Sequence, residues 1–211
     1  MIDRMQPTTF ETLVDRARAL SSSGRRVLGI TGPPGAGKSW LASRVIEALA
    51  GRAVLVAMDG FHLDDAVLHA LDRRDRKGAT DTFDVGGYVA LLRRLRAGDE
   101  TVYAPEFDRS LEASRAAAIA VPVDVPLVVT EGNYLLLDQA GWRDVRPLLD
   151  DVWYVSVDER LRLSRLVDRH VAYGKTREQA LAWACGSDQR NAELVERTRH
   201  LADLQVTPLG W

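Results

Sequence analysis

Cysteine is nearly missing from this chain: Cys185 stands alone among 211 residues. One thiol closes no intrachain disulfide and no cysteine cluster is present to hold zinc, so we expect a packed core in a reducing cytoplasm. Long apolar runs are missing as well. No stretch approaches the roughly 18 residues of a membrane helix, and Met1-Ile2-Asp3-Arg4-Met5 lacks the apolar centre of a secretory signal. No membrane partner is expected. Charge of one sign is also lacking, because 28 Lys and Arg face 30 Asp and Glu for a formal net charge of −2. Such a balance gives no general attraction to a phosphate backbone, and we expect no nucleic-acid partner. Arginines crowd at Arg93, Arg94 and Arg96 and from Arg160 to Arg169, but acidic residues interleave the second group at helical spacing, as on a solvated helix face.

What is present is an ordinary globular balance, 46% hydrophobic and 27% charged. The length suits one core, so residues 1–211 are read as a single domain. Thr8 to Glu11 has capping-box spacing, and Phe10, Leu13, Val14, Ala17 and Leu20 recur at helical intervals. After Ser21 to Gly24 comes the short apolar run Val27-Leu28-Gly29-Ile30, suited to a strand buried on both faces. Leu41, Val45, Ile46 and Leu49 then carry a helical period before a second run, Val54 to Ala57, which completes a βαβ unit. Further runs at Leu127 to Val129 and Val152 to Val157 extend a mainly parallel sheet, and the predicted fold is α/β. A long insertion, about 61–126, holds a helix near Tyr88 to Arg96 and an extended piece at Val102 to Phe107. Helices are predicted from Asp158 to about Tyr173, from Thr176 to Ala184 and from Asp188 to His200, with Leu204 to Thr207 as a last strand.

Gly32-Pro33-Pro34-Gly35-Ala36-Gly37-Lys38-Ser39 matches G-x-x-x-x-G-K-[ST] between a predicted strand and a predicted helix. Gly32 and Gly37 allow a tight turn and a close backbone approach to phosphate. The prolines have no N–H, so the anion-facing amides must come from Gly35 onward, through Ala36, Gly37, Lys38, Ser39 and Trp40. Lys38 reaches the β and γ phosphates, Ser39 ligates Mg²⁺, and the helix N-terminus adds its dipole. The implied cofactors are ATP and Mg²⁺.

Asp59 follows the second strand, at the carboxyl edge where ligands bind in a parallel sheet. There it could take the proton of an acceptor hydroxyl, cap a turn or ligate Mg²⁺. Glu131 ends the third strand and is read as an outer-sphere Mg²⁺ partner, or as a carboxylate satisfied by local N–H groups. Arg165 and Arg169, four apart, share a helix face before Gly174; they could close over the triphosphate or simply face solvent. His62 is read as a polar contact, Phe61 and Phe107 as acceptor-pocket residues, Tyr88 as pocket or core, and Trp142, Trp153 and Trp183 as packing residues.

Taken together, the phosphate loop, Met58-Asp59-Gly60-Phe61-His62, Arg76-Lys77-Gly78, Thr82-Phe83-Asp84, Pro105-Glu106-Phe107-Asp108 and Glu131-Gly132-Asn133-Tyr134 resemble the P-loop kinase group of uridine kinase, phosphoribulokinase and type I pantothenate kinase. The resemblance is closer still to bacterial fructose-transport-kinase-like proteins and to others described as nucleoside triphosphate hydrolases. It implies a three-layer α/β/α sandwich with the insertion over the acceptor site and a helical lid at about 160–187. It further implies Asp59 as general base, Lys38 and Ser39 serving nucleotide and metal, Arg165 and Arg169 in the lid, and Phe83 and Asn133 near the acceptor. The expected reaction moves the γ-phosphate of ATP to a hydroxyl of a small-molecule alcohol such as a sugar, a nucleoside or pantothenate, and a homodimer is compatible with the sequence. The alternatives are an ATPase or regulatory switch that needs no acceptor, and a non-catalytic nucleotide-binding protein. No Asn-Lys-x-Asp guanine-reading motif is present.

Overall fold

A computed structural model describes residues 9–22, 24–139 and 141–207. In chain order the elements are α1 (Phe10–Leu20), β1 (Arg26–Thr31), α2 (Lys38–Ala48), β2 (Ala53–Leu55), α3 (Asp65–Ala70), α4 (Val85–Ala97), β3 (Val102–Asp108), β4 (Ala113–Val121), β5 (Leu127–Gly132), β6 (Asp151–Val155), α5 (Glu159–Ala172), α6 (Arg177–Cys185), α7 (Ser187–Glu196) and β7 (Leu204–Val206). The main sheet runs β2-β5-β1-β6-β7, parallel throughout. It is an α/β fold with helices on both faces.

Strand periodicity sorts the side chains between the two faces. Val27, Val128, Val152 and Tyr154 point into one core with Tyr88, Leu92 and Leu95 of α4 and Val195 of α7. Leu28, Ile30, Val129, Trp153 and Val155 point into the other, with Leu13 and Ala17 of α1 and Leu41 and Val45 of α2. Both faces are apolar because both are covered, so the strands read as unbroken hydrophobic runs. One buried polar chain crosses the first core. Thr130 Oγ1 donates to Val56 O at 2.6 Å, which uses its only proton, so the Tyr88 hydroxyl 2.6 Å away must donate to Thr130.

Several boundaries differ from the sequence reading. The cap of α1 is Thr9, whose Oγ1 accepts from Thr12 N at 3.2 Å, while Thr8 lies outside the described residues. The βαβ unit is parallel, but β5 pairs between β2 and β1, so the two strands are not neighbours. The second strand ends at Leu55, with one more ladder bond from Val56 N to Val129 O, and Asp59 lies beyond it on a 3-10 turn, Met58–Phe61. The last long helix stops at Glu196 and a 3-10 turn, Arg199–Leu201, follows it. The extended piece has a partner: β3 and β4 form an antiparallel hairpin with a register shift at Pro105, which has no N–H to give the ladder. Its second strand was hidden by Ala113 to Val121, where alanine replaces the β-branched residues that mark a strand.

The α5–α6 segment has a small core of its own, Leu166, Val167, Ala180 and Ala184. Thr176 and Gln179 form the predicted capping box. No helix among the described residues is long and apolar enough to cross a membrane.

Candidate active site

The phosphate loop takes its shape from positive-φ glycines, at φ 147° for Gly32, 82° for Gly35 and 96° for Gly37. A Cβ on Gly32 would sit 2.5 Å from Val155 O, so the turn is seated directly on β6. The Ala36 N–H closes the turn onto Pro33 O at 3.1 Å, and its methyl is buried in the α2 core. That leaves Gly35, Gly37 and the first turn of α2 to present N–H groups, since those opening helical amides have no intrahelical acceptor. Trp40 points elsewhere, exposed and stacked near the Arg44 guanidinium.

A cavity of about 280 Å³ opens in front of this loop. It brings together Lys38, Ser39, Asp59, His62, Phe83, Phe107, Glu131, Asn133 and Arg169 from widely separated segments. The buried Lys38 Nζ donates to Asn133 Oδ1 at 2.7 Å and to Pro33 O at 3.1 Å. Burial lowers its pKa to about 8 against the opposing pull of Glu131 and Asp59. Ser39 Oγ donates to Glu131 Oε1 at 2.8 Å. Burial, and next the nearby Asp59 carboxylate, push the Glu131 carboxyl upward, while Lys38 and Ser39 pull it down. Two carboxylates that repel one another beside a serine hydroxyl and a phosphate-binding turn make a donor set suited to a hard, oxygen-seeking cation, so these residues fit Mg²⁺.

Asp59 Oδ2 accepts a 3.0 Å hydrogen bond from Arg109, at the tip of the β3–β4 hairpin, and among the described residues no donor reaches Oδ1. The hairpin approaches that closely because Gly60 has no side chain: a Cβ there would lie 2.5 Å from Pro105 O. His62 Nδ1 lies 2.7 Å from Asp59 O. A carbonyl only accepts, so the proton sits on Nδ1 and Nε2 is left as an acceptor. Burial lowers the pKa of His62 and favours this neutral form. Its ring packs against Phe83 and Phe107, with centroids 4.1 and 4.7 Å away. Phe61, by contrast, turns from the cavity and packs on Tyr88 at 5.1 Å.

From the α5–α6 side, Arg169 enters the cavity without a hydrogen bond or ion pair to any described residue, and burial lowers its pKa, followed by repulsion from Arg109. Arg165 is exposed beside the loop, its Nη1 3.6 Å from where a Gly37 Cβ would be. Arg162, nearly inaccessible, fastens α5 to the loop by donating to Pro34 O at 3.4 Å. Sequence reasoning missed Arg109, Arg74, Lys77, Tyr173, Lys175, Asp188 and Asn191 of the cavity wall, and assigned Trp183 to packing although it lines the cavity beside Lys175. Only the Arg76-Lys77-Gly78 motif carried a sequence signal for any of these.

Comparison with known proteins adds a family. Residues 27–210 match the model described as the Phosphoribulokinase / Uridine kinase family. A Schizosaccharomyces pombe protein provisionally named a uridine kinase is 31% identical over 99% of this chain and 94% of its own length. YggC of Escherichia coli K12, described as uncharacterized, is 34% identical over 86% of this chain and 77% of its own. Among solved structures, one from Silicibacter sp. TM1040, described provisionally as a fructose transport system kinase, superposes with a TM-score of 0.85 at 35% identity, covering 94% of this chain and 98% of that one.

Proposed function

Since the chain belongs to the phosphoribulokinase / uridine kinase family, we propose that it is an ATP- and Mg²⁺-dependent kinase acting on the hydroxyl of a small molecule, with Asp59 as general base. The observation that carries this reading is the convergence on one cavity of Lys38, Ser39 with Glu131, Arg169 and Asp59, with Arg169 and Asp59 Oδ1 left without a hydrogen-bond partner among the described residues. The amides of the glycine turn and Lys38 would hold the β and γ phosphates, and Ser39 with Glu131 behind it would hold Mg²⁺, whose charge neutralises the phosphate oxygens. Asp59 takes the acceptor's hydroxyl proton. The freed oxygen bonds to the γ-phosphorus while the bridging oxygen departs on ADP with the electron pair.

Arg169 supplies positive charge to the equatorial oxygens, an effect worth about 10³–10⁵ in rate where an arginine plays this part. The α5–α6 segment acts as a lid, a reading supported by its separate small core and by its contact with the phosphate loop through Arg162. A cytoplasmic enzyme is the setting that fits ATP. The test is coupled ADP release over a panel of sugars, nucleosides, pantothenate and related vitamins. At least one alcohol should accelerate ADP release and appear as its phosphate ester. Equal ATP turnover with and without every alcohol would replace the kinase by an acceptor-independent ATPase.

A further inference from the structure

Besides the phosphate loop, the cavity is walled by the Arg74–Lys77 turn, the hairpin tip with Arg109, and the packed rings of His62, Phe83 and Phe107. Its hydrogen-bonding character is lopsided. The Lys77 side chain is only 7% exposed, yet it brings an ammonium to the wall: Nζ donates to Asp65 Oδ1 and Glu112 O, both at 2.6 Å, and lies 5.4 Å from the centre of the Phe107 ring. Arg74 donates to the other oxygen of the same Asp65 at 2.7 Å. One carboxylate set behind the wall thus serves two cations in front of it. Arg109 gives one N–H to Asp59 and has no other partner among the described residues. An ammonium has three donors and a guanidinium five, so each of the three side chains keeps N–H groups unspent. Glu112 lies on the rim, exposed, where solvent screens its charge.

The single Asp65 carboxylate balances only one of the two positive charges it serves, so Lys77 and Arg74 together keep a net charge that a second anion would complete. A neutral polyol or base would leave the unspent cationic donors poorly matched, whereas a guanidinium fork and an ammonium together suit a carboxylate or a phosphate. We propose that the acceptor is an alcohol bearing an anionic group, a carboxylate or a phosphate, which Arg109, Lys77 and Arg74 bind while its hydroxyl meets Asp59. This rests on the kinase reading above and narrows its substrate class. It also gives the Asp59–Arg109 pair a role. Arg109 holds the base through one N–H, and an anionic group on the acceptor gives Arg109 a second oxygen partner and draws the acceptor's hydroxyl toward Oδ1. Arg109 is therefore both a binding and a positioning residue.

The test uses the full chain and pairs of alcohols differing in one anionic group: panthenol and pantothenate, ribose and ribose 5-phosphate, fructose and fructose 6-phosphate. Each is tested for acceleration of ADP release and for the rise in melting temperature it gives the MgADP complex. The anionic member of at least one pair should win in both assays by tenfold or more in kcat/KM, with the carboxylate and phosphate pairs telling which anion is read. In Lys77→Met and Arg109→Met that preference should shrink at least tenfold, chiefly through acceptor KM for Lys77→Met and through both KM and kcat for Arg109→Met. Half-saturation by MgATP should be unchanged in Lys77→Met, which also shows that this variant is folded. A neutral alcohol preferred in every pair, no anionic preference in either assay, or a preference that survives both variants overturns the proposal. Acceptor-accelerated ADP release by a neutral alcohol would leave the kinase reading standing, whereas indifference of ATP turnover to all alcohols would remove that reading as well.

Discussion

Replacing Gly60 by alanine adds one methyl group at the place where the hairpin meets the turn that carries Asp59. The new Cβ would lie 2.5 Å from Pro105 O and 2.9 Å from Pro105 C. Carbon–oxygen contacts settle near 3.3–3.6 Å, so the two backbones must separate by roughly 1 Å. Neither is the end of a flexible side chain, so the strain passes to the hairpin as a whole. Gly60 is not among the positive-φ residues, and the penalty is therefore steric rather than conformational. Overpacking of this kind costs about 1–3 kcal/mol, and in a chain of this size each kcal/mol lowers Tm by about 2–4 °C. The kinetic effect should be larger. Arg109 rides on the displaced hairpin, its 3.0 Å bond to Asp59 breaks, and a displacement of about 1 Å at a catalytic group costs on the order of 100-fold in rate. Calorimetry with acceptor-dependent ADP release measures both. Gly51→Ala is the control, at φ 85° with open space around it, and should lose about 1 kcal/mol of stability without loss of turnover. Should Gly60→Ala match the wild type in Tm and kcat/KM, the hairpin does not position the base.

Two further outcomes follow from the buried groups. In protein free of nucleotide and metal, the ¹³Cε resonance of Lys38 should titrate near pH 8 and move to higher pH when a nucleotide phosphate approaches, because an anion offsets the burial that lowers it; an apparent pKa above 10 in the empty protein contradicts the burial argument. Tyr88→Phe should cost about 1 kcal/mol of stability, since Thr130 keeps its bond to Val56 O, and leave kcat and KM unchanged; a loss of turnover would mean that the hydroxyl does more than brace the sheet.

The phosphate loop was legible because its determinants are consecutive: the glycines, the lysine and the serine sit in one short segment between an apolar run and an amphipathic one. Glu131 could be found because strand ends in a parallel sheet gather at one edge. The sheet order could not, since adjacency of β5 to both β1 and β2 is a packing outcome that no local pattern encodes. Arg109 is the clearest loss. It reaches Asp59 across 50 residues only because β3 and β4 fold back and because Gly60 lets them approach, and alanine-rich β4 concealed that hairpin. Helical spacing put Arg165 and Arg169 on one face, but it could not say that Arg169 enters the cavity while Arg165 remains exposed beside the glycine turn. Trp183 shows the same limit from the other side: an apolar neighbourhood in sequence does not distinguish a core ring from one that walls a cleft.

Asp59→Asn is the substitution on which the whole account turns, because it keeps the shape of the side chain and a hydrogen-bonding oxygen while removing the carboxylate's capacity to take a proton. With the acceptor identified by the panel, single-turnover transfer from ATP should slow by about 10²–10⁴ while the dissociation constant for MgATP stays within about threefold. Transfer at the wild-type rate in Asp59→Asn would contradict it.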